Sequence, residues 1–297
     1  MLKKENIYRR IALGTVQFGQ VYGVANQRGQ VQRSEVFDIL KYAQEQGIEL
    51  LDTASAYGES ENVLGEFLAQ EKNAFQIVSK LPANSQANAS FVQQSILDSL
   101  HQLNVSRLYG YLIHQFEDFE KCPDVVSASL QKLKEEKRVE KIGFSLYHPS
   151  ELEFLWKHGV PFDLLQIPYS ILDQRFELYL KDLKKSGTEV HARSLFLQGA
   201  VFLDPKDLKG NLQKAQTQIQ QLHDFSSREK LSIQAMCLNF VLLNPCIDKV
   251  IIGVDGLDQL KKNLNDVLSI SMVEKTYPSL LKLRIDDERI VVPKNWN

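Results

Sequence analysis

Eight short runs rich in β-branched and aromatic residues, each followed by a longer stretch of helical period, constrain this chain more than any other feature. They cover residues 11–14, 49–53, 75–80, 108–114, 141–145, 163–168, 189–194 and 249–254. Such brief, largely apolar runs suit strands that are covered on both faces. Between them apolar residues recur three and four apart. Val36, Ile39, Leu40 and Ala43 share one face of the first intervening segment, and Val92, Ile96, Leu100 and Leu103 share one face of the third. Ser34 is the expected N-cap of the first helix and Gly47 its expected C′ stop. Alternation with crossovers of this length demands parallel pairing. Eight units with no break in composition predict an α/β fold of the (β/α)8 TIM-barrel class, with 1–297 as one domain.

Two regions depart from the simple repeat. Between residues 197 and 249 the chain is long, with a glutamine-rich helix expected over 211–221 and another over 233–243. This reads as an element inserted over one rim of the barrel, too poor in apolar residues to form a core of its own. The tail from Tyr277 ends in Ile290-Val291-Val292-Pro293, expected to be extended and packed on the outside.

Composition narrows the function classes. With 35 basic and 37 acidic side chains the net charge is -2, a balance that does not favour a nucleic-acid partner. Cys122, Cys237 and Cys246 are too few and too scattered for a disulfide framework or a zinc site, so no metal is expected. Residues 1–14 carry charges and no apolar h-region. No stretch approaches the roughly 18 apolar residues that a membrane helix needs. A cytoplasmic protein with no membrane partner is the expectation. No heptad repeat or long apolar stripe speaks to an oligomeric state.

Barrels of this kind carry their chemistry at the C-terminal ends of the strands. The second strand candidate ends in Asp52 and runs into Thr53-Ala54-Ser55-Ala56-Tyr57-Gly58; the third ends in Ser79-Lys80, and the fourth in Ile113-His114. One rim thus receives a carboxylate, a phenol, an ammonium and an imidazole. Reduction of a carbonyl needs a proton at oxygen as hydride reaches carbon. A tyrosine with a free pKa near ~10 holds its proton at neutral pH, and a nearby Lys⁺ favours the phenolate, making the phenol a better acid. Asp52 is placed to pair with Lys80, and a neutral His114 to orient the substrate oxygen. Singly, each has a plainer explanation: a structural ion pair, a satisfied polar residue, a packed loop aromatic. Their occurrence together at successive strand ends favours catalysis.

At these residues the chain resembles the aldo-keto reductase family. The matching text starts with Leu13-Gly14-Thr15 and Phe18-Gly19, then Asp52-Thr53-Ala54 with Tyr57-Gly58-Glu59-Ser60-Glu61, Ser79-Lys80 and Tyr111-Leu112-Ile113-His114. It continues with Ile142-Gly143-Phe144-Ser145, the run Leu165 to Ser170, Ala192-Arg193-Ser194, Gln198-Gly199, Ile251-Ile252-Gly253 and Asn263, in family order along essentially the whole chain. The resemblance implies carbonyl reduction with NADP or NAD as cofactor and a small-molecule substrate. It makes Tyr57 the proton donor, tuned by Lys80 and Asp52, with His114 orienting the carbonyl. It assigns Ser145 and Gln166 to the nicotinamide carboxamide and Arg193, with Ser194 beside it, to the nicotinamide ring. Gly253, Asp255 and Asn263 fall in the cofactor region after the eighth strand. Tyr22, in the first βα loop, and Gln115 are expected to line the substrate pocket.

Two departures from the family pattern bear on the cofactor. Leu146 follows Ser145 where an Asn is common. After the eighth strand the text reads Gly253-Val254-Asp255-Gly256-Leu257-Asp258-Gln259, with no base before Lys261 and Lys262. Acids there repel a 2′-phosphate and accept hydrogen bonds from a free 2′-hydroxyl; equally, Asp255 and Asp258 suit the N-terminus of the last helix. The choice between NAD and NADP stays open. The other histidines, His101, His148, His158, His191 and His223, read as solvent-facing or helix-end residues, with only His191 placed where it can approach the site. Gln17, Gln20, Asn26, Gln115 and Gln198 give the rim a polar character that suits a hydroxylated, sugar-like substrate. Two other functions fit the same residues: a nicotinamide-nucleotide-binding scaffold or regulatory protein, and an isomerase or lyase that uses bound nicotinamide transiently.

Overall fold

β1 (Ile11–Gly14) pairs in parallel with both β2 (Leu50–Asp52) and β8 (Lys249–Gly253), and this double pairing closes the sheet. The intervening strands are β3 (Gln76–Leu81), β4 (Leu108–Ile113), β5 (Val139–Ser145), β6 (Leu164–Pro168) and β7 (Glu189–Arg193). Each pairs with its sequence neighbour, giving a closed barrel in the order β1 to β8. The computed structural model describes residues 7–72 and 74–296; residues 1–6, part of the stretch read above for a leader, lie outside the described residues, as do Asn73 and Asn297.

The helices form the outer ring. They begin with the short α1 (Val16–Gly19) and α2 (Arg33–Glu45), then α3 (Ser60–Gln70), α4 (Ala89–Gln102), α5 (Phe116–Phe119), α6 (Pro123–Glu135), α7 (Pro149–Lys157) and α8 (Glu177–Lys185). The outer ring is completed by α9 (Gln216–Glu229), α10 (Ile233–Leu242), α11 (Leu257–Val267), α12 (Ile270–Leu280) and α13 (Glu288–Val291). The stripe read from sequence on α2 is the buried one: Val36, Ile39, Leu40 and Ala43 are all buried. α10 is buried almost all round, from Ala235 to Leu242, which marks it as a helix inside two neighbours rather than on the surface. Among the described residues, no helix is long and apolar enough to cross a membrane.

Inside the barrel, Ala12, Leu50, Val78, Leu112, Leu164 and Ile251 form a separate apolar layer. Successive side chains of a strand alternate between its faces, so the next inward position lies two residues on. That position is Asp52 after Leu50, Lys80 after Val78, His114 after Leu112, Gln166 after Leu164 and Gly253 after Ile251. An apolar plug is therefore topped by a polar layer at the mouth, and the period of the strands alone puts it there.

Three local expectations are corrected. α2 begins at Arg33 with Gln32 at the N-cap, so Ser34 lies inside the helix; Gly47, at φ +81, does occupy the left-handed position just past the C-terminus. The glutamine-rich segment is a 3-10 turn over Gly210–Ala215 that runs into α9, and its buried Leu212, Ala215, Ile219 and Leu222 join the main core. Residues 290–293 are not extended. Ile290 and Val291 end α13, Pro293 opens a 3-10 turn, and Ile290, Val291 and Val292 are buried. Burial of all three side chains outweighs the strand preference of β-branched residues.

β5 and β6 approach so closely at Gly143, which is registered with Leu164, that a Cβ there would run into the Leu164 carbonyl. Gly143→Ala is expected to destabilise the fold by about 1–3 kcal/mol, as overpacking a rigid core does. Chemical denaturation of the two proteins measures the difference, and an unchanged midpoint would refute the close approach.

Candidate active site

Lys80 is fully buried, and three oxygens answer its ammonium: both carboxylate oxygens of Asp52 at 2.9 Å and the Thr53 carbonyl at 2.8 Å. The Gln166 amide donates to Asp52 Oδ1 at 2.7 Å from the far side, so one carboxylate ties three strands together. Burial lowers the Lys80 pKa, with Asp52 opposing that shift by charge and hydrogen bonding.

Tyr57 stands on the loop after β2. The loop is held from below by hydroxyls: Ser60 donates to Thr15 and contacts Thr53 Oγ1 at 3.0 Å. α1 makes room for it through Gly19, where a Cβ would overlap the Tyr57 carbonyl. The Lys80 ammonium lies 4.9 Å from the centre of the Tyr57 ring, and His114 meets that ring edge-on at 5.8 Å with planes 83° apart. Thus Asp52, Tyr57, Lys80 and His114, read from three strand ends, converge on one mouth. The expected tuning differs in detail. The Tyr57 phenol is pushed upward, first by burial and then by the Asp52 carboxylate, with Arg193 opposing. It therefore keeps its proton across the neutral range.

Ser145 and Gln166 lie side by side, 3.4 Å apart, on paired positions of β5 and β6. Arg193 lies over Tyr147, its guanidinium carbon 4.0 Å from the ring centre, and donates to the Leu146 carbonyl at 2.8 Å and to Ser194 at 3.2 Å. Tyr147 was not singled out from sequence. The available signal was its place two residues beyond Ser145, at the end of a strand whose other end-residues carry the chemistry.

At the eighth strand Gly253 has no room for a Cβ beside the Gln17 amide. Gln17 donates to Asp255 at 3.4 Å, and its side-chain oxygen Oε1 is buried with no protein partner. Asn263, 1% exposed on α11, likewise has a buried side-chain oxygen without a partner. Burial raises the Asp255 pKa, against hydrogen bonding from Gln17 and the charge of Arg28. Lys261 stands over the Tyr42 ring at 5.6 Å, turned toward α2. Two buried side-chain acceptors awaiting donors, with a guanidinium over a phenol ring elsewhere on the rim, fit a polar nucleotide with a planar ring.

On the substrate side, Tyr22 accepts a hydrogen bond from Gln198 at 3.0 Å, and the Val24 amide donates to the Gln198 carbonyl at 2.9 Å. These bonds clasp the first βα loop to the seventh. Burial pushes the Tyr22 phenol up to about 12, with Tyr147 and Tyr57 adding and Arg193 opposing, which marks these four as neighbours. Gln115 is exposed at the start of α5. Two of the polar rim residues are engaged elsewhere: Gln17 turns to Asp255, and the Asn26 amide holds its own loop through Tyr22 and Gly29 carbonyls. His148 and His158 sit at the ends of α7, and His223 bonds the Val201 carbonyl. His191 departs from expectation. It is fully buried and bonded to Glu189 at 2.6 Å, two residues from the opposite end of β7. Among the described residues, no group of three or more His, Cys, Asp or Glu is placed to hold a metal ion.

The His114 pKa is pushed down to about 3 by burial, with Lys80 and Arg193 adding to it. An unfolded His takes up its proton near pH ~6.5. As pH falls below that value the unfolded chain gains a proton that the folded chain refuses, so stability drains away until the folded pKa is reached. Relative to His114→Asn, the unsubstituted protein is expected to lose about 1–2 kcal/mol between pH 7 and pH 5. Denaturation curves of both proteins at the two pH values test this, and parallel pH profiles would refute it.

Comparison with known proteins shows the family. The model of the aldo/keto reductase family matches residues 10–282. "Uncharacterized oxidoreductase YqkF" of Bacillus subtilis (strain 168) is 22% identical over 84% of this chain and 87% of its own length. "Protein tas" of Escherichia coli (strain K12) is 24% identical over 86% of this chain and 89% of its own. Among solved structures, the holo form of aldo-keto reductase AKR11C1 from Bacillus halodurans superposes with a TM-score of 0.76 at 19% identity, over 94% of this chain and 93% of that one. The chain belongs to the aldo/keto reductase family and is an NAD(P)-dependent oxidoreductase that acts on a small-molecule substrate.

Proposed function

We propose that this protein reduces the carbonyl of a small hydroxylated, sugar-like substrate, with Tyr57 delivering the proton. The observation that carries this reading is the convergence of Tyr57 with the buried Lys80–Asp52 pair and the edge-on His114 at one barrel mouth. The reduced nicotinamide, when bound, supplies hydride to the carbonyl carbon. Ser145 and Gln166 would hold its carboxamide, and Arg193 would stand against its ring.

The protein's own part is the proton. Burial and Asp52 keep the Tyr57 phenol protonated until it is used. Negative charge then develops on the phenol beside the Lys80 ammonium and the Arg193 guanidinium, which favour the phenolate. Lys80 acts through charge rather than by donating, since its three near oxygens already belong to Asp52 and Thr53. His114, neutral at working pH, offers a ring nitrogen that fixes the substrate oxygen next to the phenol. The Tyr22 and Tyr147 hydroxyls and the Arg193 guanidinium around this point support a substrate with hydroxyl groups, and aromatic faces suit the apolar face of a sugar ring.

Tyr57→Phe is expected to reduce turnover by about 10²-fold or more, the scale of a positioned acid, and to leave cofactor affinity nearly intact. Single-turnover kinetics with a panel of aldehydes, ketones and sugars, alongside fluorescence titration with each dinucleotide, makes the measurement. Unchanged turnover would remove Tyr57 from the proton step. Tight cofactor binding with no net oxidation on any substrate would point instead to a closed redox cycle or a scaffold.

A further inference from the structure

The N-terminus of α11 already holds an anion, and the anion is a side chain of this protein. Glu35, on α2, accepts the Leu257 amide hydrogen at 3.1 Å, one of the free N–H groups that open α11. The same carboxylate is gripped by Arg28 of the first βα loop at 3.1 Å and 2.8 Å. The guanidinium lies against Gly256, where a Cβ would collide with both Arg28 and Glu35. Glycine at this position is thus what lets the pair sit on the helix end. Asp255 lies alongside, with Gln17 donating to it and the unpartnered Gln17 side-chain oxygen buried next to Gly253. The loop after β8 contains no base, yet the structure delivers one to it from residue 28, together with a carboxylate that uses it up.

We propose that Glu35 is the residue that selects the cofactor's adenosine end: it accepts the ribose 2′-hydroxyl of NAD(H) and repels the 2′-phosphate of NADP(H). The inference rests on the reading that the adenosine half lies at the start of α11. Among the described residues bonded at this point, the carboxylates of Glu35 and Asp255 face one guanidinium, that of Arg28, which opposes entry of a dianionic phosphate. The helix N–H that such a phosphate needs is also taken. A hydroxyl meets no such obstacle, because it donates to the carboxylate oxygens that remain. Arg28 holds Glu35 in place and becomes a phosphate partner only when Glu35 loses its charge.

The test is dissociation constants for NADH and NADPH, by fluorescence titration, on the unsubstituted protein, Glu35→Gln, Arg28→Ala and the double variant. The unsubstituted protein is expected to bind NADH at least about tenfold more tightly than NADPH, and Glu35→Gln to tighten NADPH by about tenfold. Glutamine still accepts the Leu257 N–H, so the helix end stays capped. Adding Arg28→Ala is expected to abolish that gain, and Arg28→Ala alone to weaken NADH by a few-fold, because Glu35 then loses the group that holds it in place. Tighter NADPH binding by the unsubstituted protein, or a dinucleotide ratio unmoved by Glu35→Gln, overturns the assignment of Glu35 alone. Failure of the unsubstituted protein to bind either dinucleotide overturns the placement of the cofactor, and this inference with it.

Discussion

An ammonium with no water around it must be surrounded by oxygen, and Lys80 imposes that requirement on the whole barrel mouth. Asp52 and the Thr53 carbonyl satisfy it at 2.8–2.9 Å, which fixes the end of β2 against the end of β3. Asp52 in turn draws Gln166 across the barrel, and Gln166 draws Ser145. Separating such a pair in the interior costs about 3–5 kcal/mol, because it leaves one charge buried alone. The four polar residues are therefore a single unit. Burial holds the Tyr57 proton in place and the carboxylate that neutralises Lys80 adds to it, so the ion pair that shapes the site also favours its resting protonation state.

Much of this was legible because strands have period two. Once the inner apolar layer is located, Asp52, Lys80, His114 and Gln166 follow as the next inward positions, and the eight-fold alternation fixes the barrel. What was not legible depends on closure. β1 lies beside β8, so Gln17, Arg28 and Glu35 reach residues more than 200 positions away, a meeting that no local pattern encodes. Tyr147 escaped for a related reason: its value comes from Arg193, brought over it by the packing of β5, β6 and β7. The tail at 290–293 misled because three β-branched residues in a row read as a strand, while their burial against the insert is a tertiary fact.

The two ends of the barrel use charge differently. At the mouth, hydrogen-bonding capacity is left over on Gln17 and Asn263. At the other end Glu189 is bonded to Tyr109, Lys141 and His191, and its carboxyl is held at about 2 against burial by His191, Lys141 and Tyr109. A carboxylate so fully engaged with three side chains stiffens the closed sheet, in keeping with the structural role of that face in such barrels.

The clasp between the first and seventh βα loops has a kinetic meaning. Two hydrogen bonds join Tyr22 and Val24 to Gln198, and each contributes a net of about 0.5–1.5 kcal/mol. Taken by themselves, two such bonds would leave the loops apart roughly 1–15% of the time. No helix or strand has to unravel for the loops to part. A molecule held beneath such a strap would leave only as fast as the strap opens and fails to reclose.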